Sequence, residues 1–157
     1  MKHTVTTSSV FKYILVFTFI FAAFLALAIT YNRVYKLKNQ SISIIEKYEG
    51  IVKGKKSLGL VNNYLKNSGY NIKGECLTGE YGVIDLDNPN YEIAKKNEKY
   101  YYCLSDKVVK NVNGDKIYYS IKLFFKFNLP FIGELFTFKI TGETKEIYYY
   151  DKNQRLS

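Results

Sequence analysis

Residues 116–143 read KIYYSIKLFFKFNLPFIGELFTFKITGE. In the first half, Ile117, Tyr119, Ile121, Leu123, Phe125 and Phe127 alternate with Tyr118, Ser120, Lys122, Phe124 and Lys126. A period of two places the first set on one strongly apolar face of a strand. Pro130 ends that strand, because its nitrogen has no proton to give to a ladder, and Gly133 permits the reversal. Leu135 to Thr141 then returns with Phe136, Phe138 and Ile140 on one face. Gly142 is expected to turn the chain again, and Lys145 to Tyr150 to supply a last strand. On the other side, Val108 to Val112 and Asn113-Gly114 complete a hairpin signal, since Asn-Gly accepts the positive φ angles of a type I′ turn.

An antiparallel meander with a single apolar face needs a helix to cover it. The segment just upstream is less regular. Leu60 to Asn67 reads as a short helix stopped at Ser68-Gly69. Tyr70 to Leu77, Tyr81 to Leu86 and Lys99 to Leu104 read as strands. Asp85-Leu86-Asp87-Asn88-Pro89-Asn90 alternates oxygen ligands like a calcium loop, but it lacks the required glycine and twelfth-position glutamate and is expected to be a plain turn.

The longer cover lies at the amino end. Tyr13 to Thr30, YILVFTFIFAAFLALAIT, carries no charge. With its flanks it reaches the ~20 residues a spanning helix needs, and Tyr13 and Tyr31 suit the two interfaces. Ala26-Leu27-Ala28 also has the small-x-small form of a signal-peptidase site, so a cleaved signal peptide competes with the anchor. The length of the run and the periodicity that continues through that site favour the anchor. Val34, Leu37, Ser41, Ile44, Tyr48 and Ile51 recur at spacings of three and four, an a/d seam. No proline precedes Pro89 and no glycine precedes Gly50, so one helix is expected from Tyr13 to about Glu49, with Gly50 as its stop. The seam packs on the chain's own sheet, on copies of the same helix, or on both. The expected organisation is an amino-terminal tail (1–12), a transmembrane helix (13–31), a stalk helix with a basic link (32–57) and an extracytoplasmic domain (58–157). The fold class is α+β.

The 157 residues carry a formal charge of +9, unevenly placed. Eight basic residues against two acidic ones lie between Tyr31 and Lys66, while the remainder beyond Lys66 is nearly neutral. A nucleic-acid binder more often carries its basic stripe on the folded module. Here the charge lies beside the apolar run, where anionic headgroups attract it at ~1 kcal/mol per residue; a solvated helix face explains it equally. The expected partners are the lipid bilayer and other membrane subunits, copies of itself included, with no nucleic acid.

Cys76 and Cys103 have no Cys-x-x-Cys spacing and His3 is the only histidine, which argues against a Cys/His zinc site. An oxidising compartment would allow the two cysteines to pair; two separate thiols is the other reading. There is no Gly-x-Ser-x-Gly, phosphate loop or dinucleotide fingerprint. Neither an enzyme nor a cofactor is expected.

A hydrophobic amino-terminal helix running into a basic stalk and then an antiparallel sheet resembles a pilin-type subunit. More specifically, Ile121 to Tyr149 is similar to the close of the TadE-like pseudopilins of tight-adherence systems. The residues that carry the likeness are Pro130, Phe131, Ile132, Gly133, Phe136, Phe138, Ile140 and Gly142. The resemblance implies a pilin-like fold and a structural or assembly role in a pilus or secretion apparatus. Type IV-like prepilins are cut after a glycine and carry a glutamate five residues into the mature helix. Neither residue is present here, which implies a membrane-retained component. The basic residues after the apolar run outnumber those before it, and by the positive-inside tendency this places the domain in the cytoplasm. The short tail, the cysteine pair and the resemblance point outside. The competing function is a secreted or tethered binding module using Tyr100, Tyr101, Tyr102, Tyr118, Tyr148 and Tyr150 as an aromatic patch.

Overall fold

The computed structural model describes residues 2–51, 56–110, 112, 114–129, 133–150 and 154–156, with side chains described outside 2–8, 127–129 and 133–136. A long apolar helix precedes an antiparallel sheet, an α+β arrangement. Helix α1, Lys2–Lys47, runs 46 residues, or about 69 Å at 1.5 Å per residue. It starts well upstream of Tyr13, since nothing in residues 2–12 breaks a helix. At its end, the Gly50 N–H donates to the Ile45 carbonyl (2.9 Å) and the Glu49 N–H to the Glu46 carbonyl (3.1 Å). That pairing needs one left-handed residue. It is Glu49 (φ 54°), one residue before the expected stop at Gly50 (φ 118°).

Helix α2, Lys56–Asn67, begins four residues before the expected Leu60. It closes the same way at Gly69 (φ 68°), with the Tyr70 N–H on the Leu65 carbonyl at 3.0 Å. The Arg33 guanidinium donates to the Ser68 carbonyl at 2.6 Å and so ties the stalk to the end of α2. A cation there also meets the negative end of the helix dipole.

Six strands form one sheet among the described residues: β1 Tyr81–Val83, β2 Glu92–Ile93, β3 Tyr102–Val109, β4 Lys116–Leu129, β5 Gly133–Glu143 and β6 Ile147–Tyr148. The order is β2-β1-β3-β4-β5, with β6 also on β4. The β3–β4 hairpin pairs from Tyr102↔Leu123 to Val109↔Lys116. The two expected strands over 99–104 and 108–112 are therefore one strand that stops short of Val112. The ladder ends at Val109↔Lys116, and the expected Asn113-Gly114 turn lies partly outside the described residues.

Gly142 does not turn the chain. β5 runs through it, and β6 continues on the same edge of β4 after one extra residue: three residues of β4 separate Ser120↔Glu143 from Ile117↔Ile147, against four on the other side. Gly142 is small because α1 crosses there, and a Cβ would lie 2.5 Å from Ile42 Cδ1 and 2.7 Å from Lys38 Cδ.

α1 and α2 cover one face of the sheet. Val34, Leu37 and Ile45 from α1, with Leu58, Val61 and Leu65 from α2, bury against Tyr102, Leu104, Ile117, Tyr119, Ile121 and Leu123. The covered stripe of α1 is Val34, Leu37, Ser41 and Ile45. Ile44 is only half-buried and Tyr48 is exposed, which corrects the a/d seam at those two positions, while Ile51 is buried as expected. A straight helix repeats every 3.6 residues and drifts off a 3.5 repeat, so Ile45 replaces Ile44 on the inner side.

The expected one-sided sheet also has a second cover. Tyr70 to Leu77 is not a strand: it lies over the opposite face, and among the described residues its backbone bridge to the sheet is Gly74↔Tyr100. Phe124 and Lys122 are buried beneath it. A Cβ at Gly74 would collide with the Phe124 ring.

Candidate membrane segment and interaction surfaces

Four places in this fold carry chemistry. The first is the bare part of α1. From Val10 to Ile29 its large side chains stand exposed, with Phe17 at 71% and Ile29 at 70%. One 39-residue span, Ser9–Lys47, is long and apolar enough to cross a membrane. Signal sequences share that property. Two of its hydroxyls are satisfied internally: Thr18 donates to the Ile14 carbonyl at 2.8 Å and Thr30 to the Ala26 carbonyl at 2.9 Å. In hydrocarbon this matters, because no water is present to take those protons. Ala23, Ala26 and Thr30 are half-buried, in line with Val34 and Leu37, whereas Ala22 and Ala28 are exposed.

The second is a chain of rings where the bare helix meets the domain. Tyr35 stacks on Tyr31 (6.1 Å between centroids), Tyr31 meets Phe125 edge-on (6.4 Å), and Phe125 stacks on Phe138 (5.3 Å). The Lys38 ammonium sits 4.4 Å from the Tyr35 ring centre. Phe125 is buried as expected, Ile140 is half-buried, and Phe138 is 41% exposed. Phe138 belongs to the collar more than to the core, because β5 is an edge strand there and α2 does not reach it. Phe127 and Phe136 pair through their backbones; their side chains, and Pro130, lie outside the described part of the chain, and Gly133 opens β5. Sequence reading missed the collar. The available signal was Tyr31 and Tyr35 one turn apart at the end of the apolar run.

The third is the second cover of the sheet. Cys76 and Cys103 form a disulfide, with Cα atoms 5.6 Å apart. Beside it, Lys122 and Glu80 form a largely buried ion pair at 2.5 Å, and the other Glu80 oxygen accepts the Leu77 N–H at 2.8 Å. Glu80 lies close to both sulfurs. The sulfurs are bonded to each other and the carboxylate is committed, so the cluster as bonded offers no thiolate to a metal. Tyr70 closes the same region: its hydroxyl accepts the Phe124 N–H (2.8 Å) and lies within reach of the Phe124 and Tyr101 carbonyls (2.9 and 3.0 Å). It thus replaces a missing ladder bond beyond Tyr102, and burial pushes its pKa up.

The fourth is the set of tyrosines, which do not form one patch. Tyr100 and Tyr102 are sealed from water. The Tyr102 hydroxyl donates to Asn62 Oδ1 at 2.6 Å, and burial raises its pKa. The Asn62 amide in turn faces the Asp85 and Asn88 carbonyls at 3.4 Å each, pinning the 85–90 turn to α2. In that turn the Asp85 carboxylate accepts the Asp87 N–H at 2.9 Å and Asp87 pairs with Lys66. It is a capped turn. Tyr118 donates to Glu146 at 2.7 Å, and Glu146 also pairs with Lys116, which with Tyr118 holds its pKa below the usual carboxylate range. Of the six, Tyr148 and Tyr150 stand exposed, their rings 5.9 Å apart.

No protein-family model, curated protein or solved structure matches the chain.

Proposed function

We infer that the chain is a single-pass, membrane-anchored structural or assembly subunit of a bacterial pilus or secretion apparatus, pilin-like in the manner of the TadE-like pseudopilins. It works by helix packing in the bilayer and by protein contacts of its sheet domain. One observation carries the reading: the same uninterrupted helix is bare and apolar to Ile29 and then becomes a wall of the domain core from Val34 onward. Such a joint transmits position between membrane and domain without a flexible link. The Cys76–Cys103 disulfide supports a domain outside the cytoplasm, where such bonds persist.

Val34 and Leu37 are occupied by the chain's own sheet. Partner helices are left the other faces, where Ala22, Ala28 and Ile29 are exposed in the bilayer segment and Tyr48 in the stalk. Small residues allow the close backbone approach on which membrane helices depend. Photocrosslinking residues at Ala22, Ile29 and Tyr48 in intact cells should capture discrete membrane-protein adducts, with the domain cut by external protease before lysis. A domain protected until lysis overturns the placement. Absence of adducts at all three positions overturns the subunit role. A mature chain beginning at Ile29 together with no adducts would favour the tethered or secreted binding module, for which exposed Tyr148 and Tyr150 are the available surface.

A further inference from the structure

The outer cover of the sheet brings four polar side chains to one point. Cys103 and Lys122 are register partners in the β3–β4 ladder. Cys76 and Glu80 come from the turn that leads into β1. That turn is closed twice: the Glu80 N–H donates to the Leu77 carbonyl (3.1 Å), and the Leu77 N–H donates to the Glu80 carboxylate (2.8 Å). Gly79 supplies its positive φ (92°). As a result, both sulfurs and a carboxylate oxygen of Glu80 lie within 4.8 Å of one another. The Lys122 ammonium holds the same carboxylate at 2.5 Å, with both side chains largely buried. A disulfide alone needs no carboxylate beside it. Two sulfurs and an oxygen anion held by two strands and a closed turn are a donor set.

We propose that in the reduced chain Cys76, Cys103 and Glu80 bind a zinc ion, with Lys122 positioning the carboxylate and balancing its charge. A thiol reductant opens the bond: two electrons enter the sulfur–sulfur bond, two protons end on the sulfurs, and the reductant becomes a disulfide. Zinc then displaces both protons to water, since the thiolate is the ligand. Thiolates are soft donors and favour zinc over magnesium or calcium. Two thiolates and a carboxylate carry three negative charges, and the dication and Lys122 carry three positive ones. The site is therefore neutral with the ion bound, as it is with two thiols and the ion pair, so filling it buries no net charge.

The movement required is small. Bonded sulfurs lie about 2 Å apart, and two sulfurs on a tetrahedral zinc with arms of about 2.3 Å lie about 3.8 Å apart. Each gives way by about 1 Å. Cys103 is sealed in the sheet, while half-buried Cys76 leaves an entry for the ion and for water in the fourth position. The ion pair does for Glu80 what an outer-shell partner does for a metal ligand, fixing its orientation. The cover thus keeps a cross-link in either redox state. Oxidation by a disulfide, which is itself reduced to two thiols, closes the sulfur–sulfur bond and releases the ion.

Cobalt(II) is the probe, because thiolate ligation gives it a near-ultraviolet charge-transfer band and tetrahedral geometry gives it strong visible bands. The full chain in detergent is reduced with a phosphine, which becomes its oxide and is removed, and circular dichroism follows the fold. The reduced chain should take up a single cobalt ion with both sets of bands, and zinc(II) should displace it. Zinc should also slow alkylation of the two thiols. Glu80→Gln should weaken the cobalt affinity about tenfold or more. The oxidised chain and Cys76→Ser should show neither set of bands. A folded, reduced chain without the charge-transfer band overturns the site, and so does cobalt bound without that band, which places the ion on surface carboxylates. Unchanged affinity in Glu80→Gln, or equal bands from Cys76→Ser, overturns it as well. A reduced chain that loses its fold and does not regain it with zinc does the same.

Discussion

The Tyr102 hydroxyl meets Asn62 Oδ1 in a place without water, so each group depends on the other. Tyr102→Phe leaves the amide oxygen buried and unpaired, at a cost of about 1–3 kcal/mol. Tyr118→Phe, at a half-buried surface position, should cost about 0.5 kcal/mol or less. Chemical denaturation of the two variants in the same detergent checks the contrast; equal losses would mean that the Asn62 link does nothing for stability. The buried phenols also set an alkaline limit. Burial raises the pKa of Tyr70, Tyr102 and Tyr119 in the folded chain. In the unfolded chain they ionise near pH ~10. Their contribution is thus complete below about pH 10 and is lost as pH rises, because the unfolded state releases protons first. Unfolding followed by circular dichroism should coincide with the tyrosinate absorbance step above that pH. Ionisation of all tyrosines with the fold intact would contradict it.

At the scale of elements, α1 and its neighbours show what periodicity can and cannot determine. The alternation in β4 was readable residue by residue, since Ile117, Tyr119, Ile121, Leu123 and Phe125 all bury on the helix side. Phe124 and Lys122 broke the pattern because their cover is an irregular segment tied down by a disulfide and an ion pair, neither of which has a period. Gly142 was misread as a turn because sequence shows a small residue without showing what crosses it. Of the seam, Val34, Leu37, Ser41 and Ile51 are buried, but Ile45 takes the inner place expected of Ile44, and Tyr48 is exposed. That error has a thermodynamic consequence: Ile45→Ala should cost about 2–5 kcal/mol as a buried truncation, with half-buried Ile44→Ala well below it. Denaturation midpoints of the two variants decide, and a larger loss for Ile44→Ala would restore the heptad. The disulfide closes a loop across 27 positions, for which chain-entropy arithmetic gives roughly 3–4 kcal/mol. Cys76→Ala together with Cys103→Ala should lower the unfolding free energy by about that amount, read in denaturant without reductant.

For the whole molecule, the question is whether membrane and domain move as one body, and the joint between Ile29 and Val34 decides it. With α1 anchored as proposed, the amides upstream lie in lipid and have no water with which to exchange. Downstream, amides from Val34 to Ile45 lie against the sheet. Between them, besides the helix's own ladder, the described residues hold the backbone through the collar, the Thr30 hydroxyl bond to Ala26 and the Arg33 bond to Ser68. Helix opening costs little where few contacts oppose it, so this joint is where a hinge would form if these contacts were weak. Hydrogen exchange on the full chain in nanodiscs should show protection continuous from the bilayer segment through Ile45. Arg33→Ala should not interrupt it, since that bond is exposed at the surface, whereas Tyr31→Ala, which empties the centre of the collar, should open a gap at residues 29–34. Rapid exchange of that stretch in the unmodified chain would mean two bodies joined by a hinge. The sheet would then be free to turn about the helix, and the fixed orientation that the proposed subunit role requires would be lost.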